Sequence, residues 1–169
     1  EEHILCGSDL SGIEDNTKRH YIYKYDPAYV NEMSVEGFDP HLDIAVLAGF
    51  LTKEQAEEHK LYDRTKGREG KSYKSIRHKA KTTNFSATYK VGVPSLARNA
   101  GITEKEAKTL LDIYWKRNGA ILKVEKSLEV KMVNGQKWLK NPVSGFWYTL
   151  RAEKDRFSTL NQSTGDYCF

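Results

Sequence analysis

Between residues 73 and 90 the chain runs without a glycine or a proline. It is bounded on one side by the charged stretch 63–72, with two glycines, and on the other by Gly92 and Pro94. That run is long enough for a five-turn helix, and whatever fold the chain adopts must be built around it. Arg77, Lys81, Phe85 and Tyr89 recur every fourth residue, so they line one face. One end of this stripe offers two cations about a turn apart, and the other end offers two rings. A nucleoside triphosphate has the same polarity, with phosphates at one end and a flat base and sugar at the other. Cations neutralise phosphate oxygens and a ring supplies stacking and shape selection. The competing reading is an amphipathic helix whose aromatic end packs in the core while its basic end meets water.

The remaining punctuation predicts an α+β, mostly helical chain. Residues 3–9 read as a short buried strand that ends on the carboxylate of Asp9. A strand-end carboxylate is aimed well for Mg²⁺, although the same position also suits a helix cap. Helices are expected over residues 12–25, 28–33 and 41–50, with another starting at Thr52. The 63–72 stretch has no apolar residue and predicts a mobile loop. Thr103 and Glu106 form a capping-box pattern that opens a helix to about residue 117, and a further helix is expected over 121–132. Asn134-Gly135 predicts a hairpin turn, with short strands at 136–139 and 146–150 and a last helix from about residue 153.

Charge is distributed unevenly. Residues 1–59 carry 4 Lys/Arg against 13 Asp/Glu, whereas residues 60–98 carry 11 against 2. Such a basic block is either a solvated face or a surface for a polyanion. No apolar run approaches the length of a membrane span, so no membrane partner is expected. Cys6 and Cys168 have no metal-ligand spacing and form no disulfide framework, which predicts a reducing, cytoplasmic setting.

Taken together, the segments match a family. Asp9-Leu10-Ser11-Gly12-Ile13-Glu14 resembles motif A of the family A DNA polymerases, whose pattern is Asp-x-Ser-x-Ile/Leu-Glu. Arg77, Lys81, Asn84, Phe85 and Tyr89 resemble motif B, the fingers helix of that family. Phe38-Asp-Pro-His41 and the residues after it look like the Asp-Ile-His segment between them, with Pro40 in place of Ile. Gln162-Ser163-Thr164-Gly165 resembles the stretch that follows motif B, in the manner of phage enzymes.

The resemblance implies part of a right-hand fold: residues 1–36 as a palm segment, 37–135 as fingers, and 136–169 as the return to the palm. It implies two Mg²⁺ ions at Asp9, with the Leu10 carbonyl helping at one, in the two-metal transfer of a deoxynucleotide to a primer 3′-hydroxyl. Arg77, Lys81 and His41 would contact the triphosphate, and Lys81 would protonate the pyrophosphate. Phe85 would lie beside the sugar. Glu14 would exclude a ribose 2′-hydroxyl and hydrogen-bond Tyr89, which would stack near the templating base. Gln162 would read the primer–template minor groove.

No histidine here is followed by Asp, so the family's motif C is missing, and the thumb has no counterpart ahead of Asp9. A partial polymerase, inactive alone, is therefore expected: a fragment, or a subunit whose partner chain brings motif C and the thumb. The alternative is a non-enzymatic basic module for nucleic acid, built on the 60–98 block and its interleaved aromatics. Single-subunit RNA polymerases are a more distant alternative.

Overall fold

A computed structural model describes residues 12–152 and 156. The architecture is α+β and mostly helical. Among the described residues, eight helices precede a small antiparallel sheet. The helices are α1 (Ile13–Ile22), α2 (Pro27–Met33), α3 (Pro40–Leu47), α4 (Lys53–Arg64), α5 (Lys74–Thr88), α6 (Val93–Ala100), α7 (Glu104–Arg117) and α8 (Gly119–Ser127). The strands are β1 (Val130–Val133), β2 (Gln136–Lys140) and β3 (Trp147–Leu150), in that spatial order. Among the described residues no helix is long and apolar enough to cross a membrane. The strand expected at 3–9 lies outside the described residues, as does the last helix apart from Arg156.

Side-chain caps set the starts of α2, α3, α4 and α7. Asp26 accepts from the Tyr29 amide ahead of Pro27, and Asp39 accepts from the His41 and Leu42 amides around Pro40. Thr52 with Gln55, and Thr103 with Glu106, form full capping boxes. The central helix is α5. Ala80, Thr83 and Ala87 are its buried face, small enough to let α3, α6 and α7 approach closely. The main core joins Ile22, Tyr29, Ile44, Leu96, Leu110 and Tyr114 to Leu139 and Leu150 of the sheet. A second cluster, Leu42, Ala45, Leu51, Ala56 and Ala80, fills the space between α3, α4 and α5. Arg117 ties α7 to two other helices: its Nε donates to Asp43 of α3 at 3.0 Å, another of its nitrogens bonds Glu32 of α2, and its guanidinium lies 4.2 Å from the ring centroid of Tyr29, also of α2.

Three sequence expectations are corrected. α5 ends at Thr88, ahead of both breakers, where Lys90 takes a φ of 55°; Gly92 and Pro94 instead begin α6, because proline is well suited to the first turn of a helix. The helix expected over 121–132 stops at Ser127, where Leu128 turns extended. Val130–Val133 instead pairs with β2 around Asn134 and Gly135, whose φ values of 49° and 76° are those the tight hairpin turn demands. Asp63 and Arg64 complete α4, and the loop that follows has its own fixed contacts. The Glu69 amide donates to Thr65 Oγ1, and the Tyr73 amide donates to Nδ1 of the buried His59. Gly70 sits so close to α4 that a Cβ there would fall 2.4 Å from the Glu58 carbonyl, at a φ of +79°.

Gly70→Ala should therefore cost about 1–3 kcal/mol of folding free energy, through combined strain and overlap. Gly49→Ala shares the positive φ but meets nothing within 4 Å, and should cost less. Urea unfolding midpoints of the two variants check this ordering.

Candidate functional site

Helices α1, α3, α5, α7 and α8 surround a cleft of about 90 Å³. Its rim carries Glu14, Asp15, Lys18 and His41; Asn84 and Phe85 form one side; Ile22, Tyr114, Ile121 and Val124 make an apolar floor. A hollow with an apolar floor and a few convergent polar groups has the make-up of a small-molecule site.

Each polar group is held by a traceable contact. His41 Nδ1 lies 2.8 Å from Asn84 Nδ2, and the same amide nitrogen donates to the Pro40 carbonyl at 3.1 Å. The carbonyl contact fixes which end of the Asn84 amide is the nitrogen. His41 Nδ1 must then accept, which leaves its proton on Nε2. Burial is the main cause that pushes the His41 pKa below 6.5, with Arg77 adding to it and Asp39 opposing. At neutral pH His41 is thus an uncharged donor. Asn84 Oδ1 is buried without a partner, an open acceptor beside the cleft.

Asp39 connects this arrangement to the helix stripe. Its second oxygen takes Arg77 Nε at 2.7 Å, while its first caps α3. Burial alone would raise the Asp39 pKa, but the Leu42 amide and then Arg77 outweigh it and hold the carboxyl below its usual value. On α1, Lys18 Nζ sits 3.1 Å from Asp15, and burial pushes its pKa down while Asp15 pushes back. In the floor, Tyr114 exchanges a 3.2 Å hydrogen bond with Thr88, and burial pushes its pKa up to about 12.

The residues singled out from sequence distribute as follows. Glu14, His41 and Phe85, more than forty residues apart at the extremes, share the cleft. The His41 and Phe85 ring centroids are 6.4 Å apart. Lys81 is exposed, its Nζ 5.7 Å from the centroid of Phe85 one turn on, and Arg77 lies a turn earlier against Asp39. Tyr89 is exposed at the C-terminal cap of α5 and does not line the cleft. Phe85 is 41% exposed and Tyr89 38%, so the rings of the stripe are not packed in the core. Asp9, Leu10 and Gln162 lie outside the described residues. Among the described residues no group of three His, Cys, Asp or Glu side chains could hold a metal ion, so the expected Mg²⁺ rests on Asp9 and Leu10 alone. Sequence reasoning missed Lys18 and Tyr114, which have no motif. It also missed the Asp39–Arg77 link, since Asp39 stood out only as part of the Phe38–His41 segment. No protein-family model matches the chain, and no curated protein sequence matches it.

The depressed His41 pKa predicts a pH effect with a definite sign. Between the folded pKa and 6.5 the unfolded chain binds more protons than the folded one, so stability falls as pH drops through that window. Above 6.5 this contribution is complete. An NMR titration should place the His41 midpoint below 6.5, and His41→Gln should remove the corresponding acid-side loss from the stability profile.

Proposed function

We propose that this chain is the palm-and-fingers portion of a family A DNA polymerase, the part that receives an incoming deoxynucleoside triphosphate. The observation that carries the reading is the meeting of Glu14, His41 and Phe85 around one cleft, since each comes from a different segment with a resemblance to that family. Chance motif likeness gives no reason for three such segments to share a pocket.

In this reading each side chain acts through properties it has in the free protein. Phe85 offers a half-exposed ring beside the sugar, and the Glu14 carboxylate at the rim occupies the space a 2′-hydroxyl would need. Lys81, exposed and with no carboxylate within 4 Å among the described residues, is available to a phosphate oxygen beyond that ring. Neutral His41 donates through Nε2–H without adding positive charge next to Arg77. Arg77 keeps its Nε on Asp39 and approaches phosphate with the rest of its guanidinium. Transfer of the nucleotide to a primer 3′-hydroxyl would further need the Mg²⁺ assigned to Asp9 and Leu10, the duplex contact assigned to Gln162, and the second catalytic carboxylate of a motif C. A partner chain or a longer form of this one would supply that last group.

A second reading, a basic module for nucleic acid, is favoured by one observation. Arg64, Lys66, Arg68, Lys71 and Lys74 are all exposed, and among the described residues none has a carboxylate within 4 Å. That reading predicts salt-sensitive DNA binding indifferent to changes at Asp9 or Glu14.

Binding of a fluorescent deoxynucleoside triphosphate separates the two. Lys81→Ala should weaken it by about 1.5–3 kcal/mol, the value of a charge-assisted hydrogen bond. Glu14→Ala should bring ribonucleotide affinity closer to that of the deoxynucleotide. Triphosphate affinity unchanged by both Lys81→Ala and Phe85→Ala would overturn the polymerase reading.

A further inference from the structure

We propose that the outer face of the three-stranded sheet binds single-stranded nucleic acid, with Trp138 and Trp147 stacking on bases and Lys131 and Lys140 on phosphates. The strand register sorts the side chains. Val130, Leu139 and Tyr148 align on one face with Met132, Lys137 and Leu150; Leu139 and Leu150 are 1% and 2% exposed, so this face meets the core. Lys131, Trp138 and Thr149 form one row of the opposite face, and Lys140 and Trp147 form the next. That second face does not serve the core, yet it carries two of the three tryptophans in the chain.

Charge favours a polyanion as the occupant. From Val130 to Arg151 the chain holds four cations, Lys131, Lys137, Lys140 and Arg151, and no carboxylate. A sheet built for stability alone would pair opposite charges across its strands, because like charges on a small sheet repel. Glu129, just ahead of β1, lies 3.1 Å from Lys140. Lys131 reaches across β2 until its Nζ stands 3.7 Å from the Trp147 ring centroid, with Lys140 at 5.5 Å. The ammonium of Lys131 thus occupies the place where a base would stack. A nucleic acid offers it a phosphate in exchange, so one cation–π contact is replaced by an ion pair and a stack. Unpaired bases are required, since duplex bases hide their faces against one another and a duplex backbone would need no rings. This inference is independent of the cleft.

The test titrates the full chain with a fluorescein-labelled oligo-dT of about a dozen residues at several salt concentrations. Oligo-dT should bind and quench tryptophan emission. Trp147→Ala should weaken binding at least fivefold, whereas Trp147→Phe, which keeps a ring, should restore most of it. Lys131→Gln, an exposed change that leaves the sheet's pairing untouched, should lower the slope of log K against log salt by about 0.7. Binding of oligo-dT unchanged by Trp147→Ala and Lys131→Gln would overturn the proposal. So would equal affinity for a duplex of the same length, or displacement of oligo-dT by a poly-glutamate peptide, which would point to an acidic protein. Circular dichroism distinguishes a lost sheet from a lost contact, and Lys131→Gln decides the matter if Trp147→Ala unfolds.

Discussion

One carboxylate holds the arrangement around the cleft together. Asp39 accepts two amides at the start of α3 and the guanidinium of Arg77 from α5, so a single side chain sets both where α3 begins and how it lies against the long helix. His41 is the second residue of α3, and its ring meets Asn84 two turns along α5 from Arg77. Remove Asp39 and the orphaned amides of α3, the partly buried Arg77 and the position of His41 are all released at once.

The central helix divides its labour by side-chain size. Ala80, Thr83 and Ala87 let neighbouring helices come close, while the longer Arg77, Lys81 and Phe85 rise along the flank that this packing leaves uncovered. Small residues bury the helix and large ones face outward, the reverse of a simple apolar stripe. Exposed rings on that flank cost hydrophobic stabilisation, and they make sense if a flat ligand covers them.

How legible this was depended on range. The helix starts expected at residues 28 and 41 fall one residue after the observed Pro27 and Pro40, and those of α4 and α7 were readable because Thr52 and Thr103 act within one turn. The 134–135 hairpin turn was readable for the same reason. Pro94 was read as a stop when it also serves as a start, since one residue type has both uses. Val130 and Met132 looked like a continuation of α8, because an apolar i, i+2 pair at the end of a helix is ambiguous until its partner strand is known. The cleft was legible only at its rim. Glu14, His41 and Phe85 stood out through motif likeness, but the floor of Ile22, Tyr114, Ile121 and Val124 is ordinary apolar sequence whose convergence follows from packing of distant segments. The Asp39–Arg77 pair, 38 residues apart, leaves no periodicity to find.

Arg117 joins α7 to α2 and α3, and Asp39 joins α3 to α5, so these polar ties gather on one side of the cleft. The facing wall is α1 packed on α8, and it meets the hollow through Ile22, Ile121 and Val124. Ion pairs resist separation steeply and directionally, whereas aliphatic contacts slide with little change in energy. The cleft is therefore built asymmetrically: directional ion pairs fix the wall that carries His41 and Phe85, while α1 brings both the apolar Ile22 and the polar Glu14, Asp15 and Lys18 to the other.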